Sequence, residues 1–599
     1  MNRLLPTLAF LPVAPLSATL APAAMAQAVV ASEMREVSIP ASPTSREDSI
    51  RLHRSARSRQ AAFERLRRHN LPWAWGGGRG ECDERIGRFC LTYSEEDAPE
   101  WVPPEEPTGV ANARWRLLDQ LTDAATAIPG DGWVVAQLVR YLAEVGRFDA
   151  ARTAADLCRG ERWWCEAVRG FAAHQAGDSG AADAAFARML RAMPEEKREE
   201  WTDLSQILDR RPLRVYRRLN DEEKQEFETR FWILADPLLQ TPGNELRSEH
   251  FSRNLLVELQ DDSETTENLS WSKDLREILL RFGAPSGWER IRRPFQLHSA
   301  ELSLLTHYPD ADIDLVPPPE LLVGEFDPLA GVWNDEDRRA RASYPLPQGR
   351  ERLRWIDPLE YQVAVFRDRD SARVVVAYSL PEDSFPGGAT VDAVLSARLS
   401  VPGEPLVTRD PSAGREAVLT LSTPQRPALV SIETLSRERR RAARARFGLG
   451  IPPLLPGLLS ASDLLILSAE ADSVPESREE AIRRARGSLR VRAGERIGIY
   501  WEIYSPAVEW PERLEISLRL LDADAGWLRR LAERAGVVDR IEPIRIVWGE
   551  SGYVGETLPR SLVLRIPEEV KPGQYDLEVS VLAPGREPVV VRRTLEVVG

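Results

Sequence analysis

Asp236, Glu245 and Asp274 lie in a stretch rich in aromatic residues, and carboxylates of this kind could share acid and base roles in hydrolysing an envelope polymer. The same acids equally well cap helices, where a carboxylate meets free N–H groups. No HExxH, Gly-x-Ser-x-Gly, Walker or dinucleotide-binding glycine motif occurs. The histidines, at 53, 69, 174, 250, 298 and 307, are scattered and leave few candidates for a general base. Ser270 and Lys273 have the spacing at which a lysine can activate a serine, but the Ser-Asp-Asn and Lys-Thr-Gly elements that such acylation also needs are missing. Asp261, Asp262, Glu264 and Glu267 lack the spacing and glycine of a calcium loop and read as a solvated loop. Gly76-Gly77-Gly78-Arg79-Gly80 lacks the Lys-Ser/Thr ending of a phosphate loop and reads as a bend. No catalytic residue, cofactor or metal ligand is assigned.

The four cysteines fall into two local pairs, Cys82 with Cys90 and Cys158 with Cys165, which predict two disulfides if the chain is exported. Zinc would need further ligands at short spacing, which His69 and His174 do not supply; buried free thiols are the other reading. Arg3, the apolar stretch from Leu4 to Ala24 and Ala24-Met25-Ala26 have the order of a secretory signal peptide, residues 1–26. Pro6, Pro12, Pro15 and Pro22 argue against a membrane anchor, and no later apolar stretch is long enough to span a bilayer. The expectation is a protein of the periplasm, the cell envelope or the secreted fraction, with no transmembrane span after cleavage. A net charge of −14 argues against nucleic acid as a partner. The cations are 75 arginines and only four lysines, a bias read first as genome composition.

At roughly 150 residues per domain, 599 residues suggest about four domains. Residues 27–110 read as a flexible lead-in, a helix from about Ser45, the first cysteine pair and a proline-rich linker at 98–108. The basic side of the helix, Arg51, Arg54, Arg57, Arg59, Arg65, Arg67 and Arg68, reads as a solvated face, with docking on an acidic partner or lipid head groups as the alternative. Residues 111–200 are Ala-rich and self-similar at a spacing of 31: Gly146-Arg147-Phe148-Asp149-Ala150-Ala151 matches Gly177-Asp178-Ser179-Gly180-Ala181-Ala182. Gly170, Gly177, Ala182, Phe186 and Pro194 stand at the spacings of tetratricopeptide repeats, and the region looks like a degenerate pair of them; an ordinary helical hairpin is the alternative. Trp163-Trp164 and Trp73/Trp75 could stack on sugars or a peptide, or be buried in helix packing.

Phe231-Trp232-Ile233-Leu234-Ala235-Asp236-Pro237, then Thr241 to Leu246 and Phe251-Ser252-Arg253, is similar to the helical first half of the GWxTD domain, a bacterial family named for its motif. Trp271-Ser272-Lys273-Asp274, running into Leu280-Arg281-Phe282-Gly283-Ala284-Pro285, resembles its second half, where the family ends a short strand in a Gly-x-Pro turn. Ser270 and Lys273 replace the naming glycine and threonine. The likeness picks out Trp232, Asp236, Pro237, Asn244, Glu245, Trp271, Asp274, Gly283 and Pro285, and predicts that Trp271 packs near Phe231 and Trp232. It implies an exported or envelope-associated protein and carries over no catalytic residue.

After about 350 the pattern alternates, which predicts β-sandwiches over 350–470 and 485–599. Arg437 to Arg446 reads as an exposed helix between strands, and Trp527, Leu528 and Leu531 as a short helix. Pro317-Pro318-Pro319 through Pro347 reads as a junction few contacts cross. The fold class is thus multidomain α+β: a helical repeat region (111–200), a mixed α/β GWxTD-like domain (201–330) and two C-terminal, Ig-like sandwiches. The function expected is a non-enzymatic scaffold that holds a protein or peptide partner on its helical repeats. An envelope-polymer hydrolase acting through Asp236, Glu245 and Asp274 is the alternative, as is a carbohydrate-binding surface protein using exposed tryptophans.

Overall fold

A computed structural model describes residues 45–74, 82–92, 101–291, 304–308, 317–331, 333, 341–342, 355–438, 440–455, 457–469, 473–505, 513–523, 544–551 and 555–599. The signal peptide, the lead-in to 44, the glycine run and the helix expected near Trp527 lie outside them.

Helix α1 (Arg46–His69) starts at Ser45, whose hydroxyl oxygen accepts from the Asp48 N–H at 3.1 Å. A hairpin of β1 (Glu84–Ile86) and β2 (Phe89–Leu91) follows, closed by the Cys82–Cys90 disulfide. Helices α2 (Thr108–Ala127), α3 (Gly132–Glu144), α4 (Phe148–Ala155), α5 (Arg162–Gln175) and α6 (Ser179–Ala192) then stack in antiparallel succession around one core. Gly146 and Gly177, 31 residues apart, both turn with positive φ, and Ala151 and Ala182 behind them are fully buried. The internal similarity therefore marks two successive helical hairpins. The second disulfide, Cys158–Cys165, ties the turn between them.

Shorter helices α7 (Glu195–Thr202) and α8 (Arg210–Tyr216) lead to α9 (Asp221–Ala235), α10 (Glu245–Asp261) and α11 (Lys273–Phe282). The segment before Gly283 is thus helical rather than the short strand implied by the family likeness. Its apolar side chains follow helical spacing, and Gly283 ends it with φ 78°. A side chain at Gly283 would press on the buried guanidinium of Arg253, which donates to Glu249 at 2.6 Å and to the Leu280 carbonyl at 3.0 Å. The short hairpin of β3 (Gly287–Arg290) and β4 (Leu304–His307) closes this part.

Eight strands form the next unit: β5 (Trp355–Pro358), β6 (Glu360–Arg367), β7 (Ser371–Ser379), β8 (Val391–Arg398), β9 (Leu406–Ala413), β10 (Glu416–Pro424), β11 (Ala428–Ser436) and β12 (Arg441–Leu449). Sheets ordered β10-β7-β6 and β5-β12-β11-β8-β9 face one another across one apolar core. The second unit holds β13 (Ser460–Ala461), β14 (Leu465–Ser468), the short helix α12 (Arg478–Arg483), β15 (Arg490–Arg492), β16 (Arg496–Tyr504), β17 (Leu514–Asp522), β18 (Ile544–Glu550), β19 (Thr557–Arg565), β20 (Gly573–Leu582) and β21 (Val589–Val598). Its core likewise lies between two sheets. Strands β13 and β14, which precede the expected start of this sandwich, pair with β16 and belong to it.

Three connections differ from expectation. Arg441–Leu449 is strand β12, not an exposed helix: Arg446 is buried, 3.0 Å from Glu433, and donates to the Leu234 carbonyl at the end of α9. Arg444 donates to the Pro237 carbonyl just past the helix, so two arginines of the sandwich cover the end of α9, one of them on a carbonyl the helix leaves free. The prolines at 317–319 are no loose junction either. Leu321, Leu322 and Trp333 share a core with Phe227, Trp232 and the sandwich residues Val401 and Leu429. From Thr44 onward the chain forms one compact unit. The 98–108 linker is likewise packed where it is described, with Trp101 stacked on His307 at 3.8 Å.

Replacing Glu433 by Gln leaves the buried Arg446 charge without its carboxylate, and removing one partner of such a pair costs about 3–5 kcal/mol. Urea unfolding should show a loss of that size; a loss below about 1 kcal/mol would mean that Asp236 ionises in its place.

Candidate functional site

Apart from Asp274, the GWxTD-like positions separate into two places. At the first, Asp236 follows α9 and accepts from the Leu238 N–H at 3.1 Å, and Asn244 caps α10 while donating to the Trp232 carbonyl at 2.6 Å. Glu245 opens α10 and accepts from the Thr241 hydroxyl at 3.1 Å. Burial, and for Asp236 the neighbouring Glu245, raises both carboxyls above the usual carboxylate range. Burial and Arg446 push Arg444 beside them down to about 9. This is the seam between helices and sandwich, closed by Pro237 and the β12 arginines.

Asp274 is elsewhere. It takes the Arg88 guanidinium at 2.8 and 2.9 Å and the Arg88 N–H at 3.2 Å, fastening the tip of the disulfide hairpin to the first turn of α11. Those bonds from Arg88 hold its carboxyl well below the usual range despite its burial. Arg281 repeats the fastening with two bonds to Glu84, both 2.8 Å. The three acids of the hydrolase alternative are therefore not one constellation: Asp236 and Glu245 serve the seam, Asp274 the hairpin.

The second place is a cavity of about 460 Å³ lined by the end of α1, residues 101–107, α2, α3, α5, α10, the loop into α11, α11, β3 and Tyr308. Trp271, Gly283 and Pro285 lie on its wall. Trp271 packs on the helical core and on the hairpin cluster of Ile86 and Phe89, not beside Phe231 and Trp232 as expected. Trp101, Trp288, Phe171 and Tyr308 supply further aromatic surface.

One side of the wall is charged. Arg67 lies 2.5 Å from Glu144 and 4.7 Å over the Phe63 ring; Arg114 lies 2.7 Å from Glu106 and 3.3 Å from Glu144. Behind them Tyr141 donates to Glu64, which also accepts from the Thr266 hydroxyl at 2.8 Å. Burial opposes the charge on Arg67, yet Glu144 and Glu64 outweigh it and raise its pKa. Arg140 differs: it rests 5.1 Å over the Tyr141 ring, makes no hydrogen bond or ion pair with any described residue, and its buried Nη1 has no acceptor. Glu64 and Glu144 act on it only at longer range.

Glu264 and Glu267, expected in a solvated loop, are partnered here. Arg68 reaches Glu264 at 2.9 Å, and Trp288 Nε1 donates to Glu267 at 2.6 Å. Burial raises the Glu267 carboxyl. The basic side of α1 is thus partly docked rather than solvated. The other tryptophans singled out are mostly structural: Trp164 Nε1 donates to the Gly132 carbonyl at 2.8 Å, and Trp163 stands edge-on to Trp164 and Trp201. Trp73 is exposed, 4.3 Å from Arg290, and Trp75 lies outside the described residues. In the second sandwich Trp501 is buried and the half-buried Trp548 stands edge-on to it at 6.4 Å.

Arg114, Arg140 and Glu144 are not singled out by the sequence, and Arg67 is read there only as part of the basic side of the first helix. A signal existed in α1, where Gln60, Phe63, Glu64 and Arg67 stand at i, i+3, i+4 and i+7 and so share one face with a core aromatic. Among the described residues no group of three or more His, Cys, Asp or Glu is placed to hold a metal ion, and no helix is long and apolar enough to cross a membrane. No protein-family model matches the chain, and no curated protein matches it.

His250 gives this half a pH dependence. It is buried 5.2 Å from the Trp232 ring with Nε2 3.0 Å from the Trp201 carbonyl, and burial pushes it from 6.5 down to about 4. The unfolded chain therefore takes the proton first, and stability present above pH 6.5 falls as the pH drops from 6.5 through 4. Urea midpoints at pH 7 and pH 4.5 should show this loss, with a smaller difference in His250→Gln. Separately, thiol titration of the denatured protein should find none of the four cysteines free; four titratable thiols would contradict both bridges.

Proposed function

We propose that this chain is an exported binding protein of the cell envelope, a scaffold rather than a catalyst, and that it holds a protein or peptide partner through its helical half. The single observation that carries this reading is the cavity: its volume is in the range of ligand pockets, its walls combine large aromatic surfaces with a few fixed charges, and those charges are arginine–glutamate pairs rather than a nucleophile and its base. The two disulfides and the absence of a membrane-spanning helix among the described residues are compatible with export.

The likeness of 231–285 to the GWxTD domain and of 111–200 to tetratricopeptide repeats supports the same assignment. Trp271, Gly283 and Pro285 shape the pocket, Asp274 secures the hairpin beside it, and stacked hairpins offer a surface for a chain to lie on. That the three acids named for a hydrolase do not meet in one place favours the binding reading. The sandwiches then act as a stand that fixes the helical half.

A photo-crosslinking residue at Val102, highly exposed beside Trp101 at the pocket, tests this in the native host. It should trap one envelope protein, whereas the same residue at Val407, exposed on β9, should trap none. Trapping at 407 alone would move recognition to the sandwiches.

A further inference from the structure

We propose that Arg140 is an anion anchor and that the cavity takes an apolar carboxylate, its acid group on Arg140 and its aliphatic or aromatic body among Trp101, Trp271, Trp288 and Phe171. This rests on the binding reading above and names the chemistry of the bound group. On this wall two of the three arginines are matched: Arg67 by Glu144, and Arg114 by Glu106 and Glu144. Glu64, the nearest further acid, already accepts from Tyr141 and Thr266. Arg140 alone among the described wall arginines has no acceptor. It is held by the Tyr141 ring and by the field of Glu64 and Glu144, so its position is set before a ligand arrives.

A guanidinium fixed by a ring face, with its donors unused beside a largely apolar cavity, suits a carboxylate, which accepts two parallel N–H bonds. A doubly charged phosphate suits it less, because Glu144 and Glu106 stand on the same wall and would repel the second charge. A cation finds no buried unmatched acid there: Glu106 and Glu144 are paired, Glu267 is raised by burial and accepts from Trp288, and Glu105, the remaining wall acid, is exposed. The body is mainly apolar, since the rest of the wall, though it includes Asn70, Gln175 and Gln260, is dominated by aromatic rings, prolines and the leucines and isoleucine of α10 and α11. Two sources carry this chemistry, a peptide C-terminus ending in an apolar residue and a free apolar acid.

The test uses the full chain and tryptophan fluorescence with three probes: an N-acetylated tetrapeptide ending in Leu-Phe with a free carboxylate, the same peptide as its C-terminal amide, and decanoate. The free-acid peptide or decanoate should bind, and the acid peptide should bind at least tenfold more tightly than its amide if a C-terminus is the source. Arg140→Gln should abolish acid binding or the acid–amide difference while leaving amide affinity unchanged. Should that variant fail to fold, Arg140→Lys, which keeps the charge but not the fork, should still weaken the acid severalfold. Decanoate binding without the peptide would assign a free acid, still on Arg140. Equal affinity for acid and amide with no decanoate binding, an acid preference that survives Arg140→Gln, or displacement of the acid by equimolar phosphate would overturn the proposal. If it falls while Val102 still traps a partner, only the carboxylate anchor is wrong; loss of both removes the binding reading as well.

Discussion

A guanidinium removed from water must find acceptors for its N–H groups, and the layers of this molecule meet where that demand is satisfied. Arg67 joins α1 to α3, Arg88 and Arg281 join the disulfide hairpin to α11, and Arg253 sits under the turn at Gly283. Arg446 joins the sandwich to the end of α9, and Arg478 joins the two sandwiches through Asp368 and Glu502. Each bonds at least two groups, often from different elements, which the compact point charge of lysine could not do in the same geometry. The arginine excess, first read as composition, is also how the chain fixes its layers. Such pairs add little to net stability against apolar replacements, but breaking one partner is costly, so they specify which surfaces meet.

The cavity follows from the same constraint. Had the end of α1 carried leucines against α3, the helices would have closed on an apolar core like that between α5 and α6. Arg67, Arg114 and Arg140 instead stand off on aromatic faces and carboxylates, and the space beside them is walled by tryptophans from two other segments. Packing that cannot close and chemistry that can recognise are the same residues.

Local signals were readable in the sequence because local physics set them. The Ser45 cap, the cysteine pairs, the 31-residue similarity and most strands over 360–436 and 496–598 appear where alternation, capping and spacing place them. What was not legible depends on partners far along the chain. Strand β12 carries arginines at 441, 444 and 446 and looks solvated, but Arg441 meets Asp357 of β5, Arg444 the Pro237 carbonyl, and Arg446 both Glu433 of β11 and the Leu234 carbonyl of α9. Strands β13 and β14 precede their sandwich because β14 is buried on both faces and shows no alternation. Asp236, Glu245 and Asp274 lie close in sequence and look like one site until the fold gives two of them to the seam and one to the hairpin. The cavity itself is assembled from stretches spread between Arg67 and Tyr308, which no local pattern ties together.

Helix α1 hydrogen-bonds through Gln60 to the Glu264 carbonyl, 204 residues away, and through Glu64 to Thr266. During synthesis at roughly 5–20 residues per second, α1 must therefore wait about 10–40 s for the loop that covers its buried polar face. Through that interval a helix with Gln60, Glu64 and Arg67 on its inner side rests, among the described elements, on α2 and α3, and closing so long a loop is entropically slow. The order of appearance of the chain thus makes its first helix one of the last to be fully enclosed, and leaves the rim of the pocket as the final piece of the helical half to form.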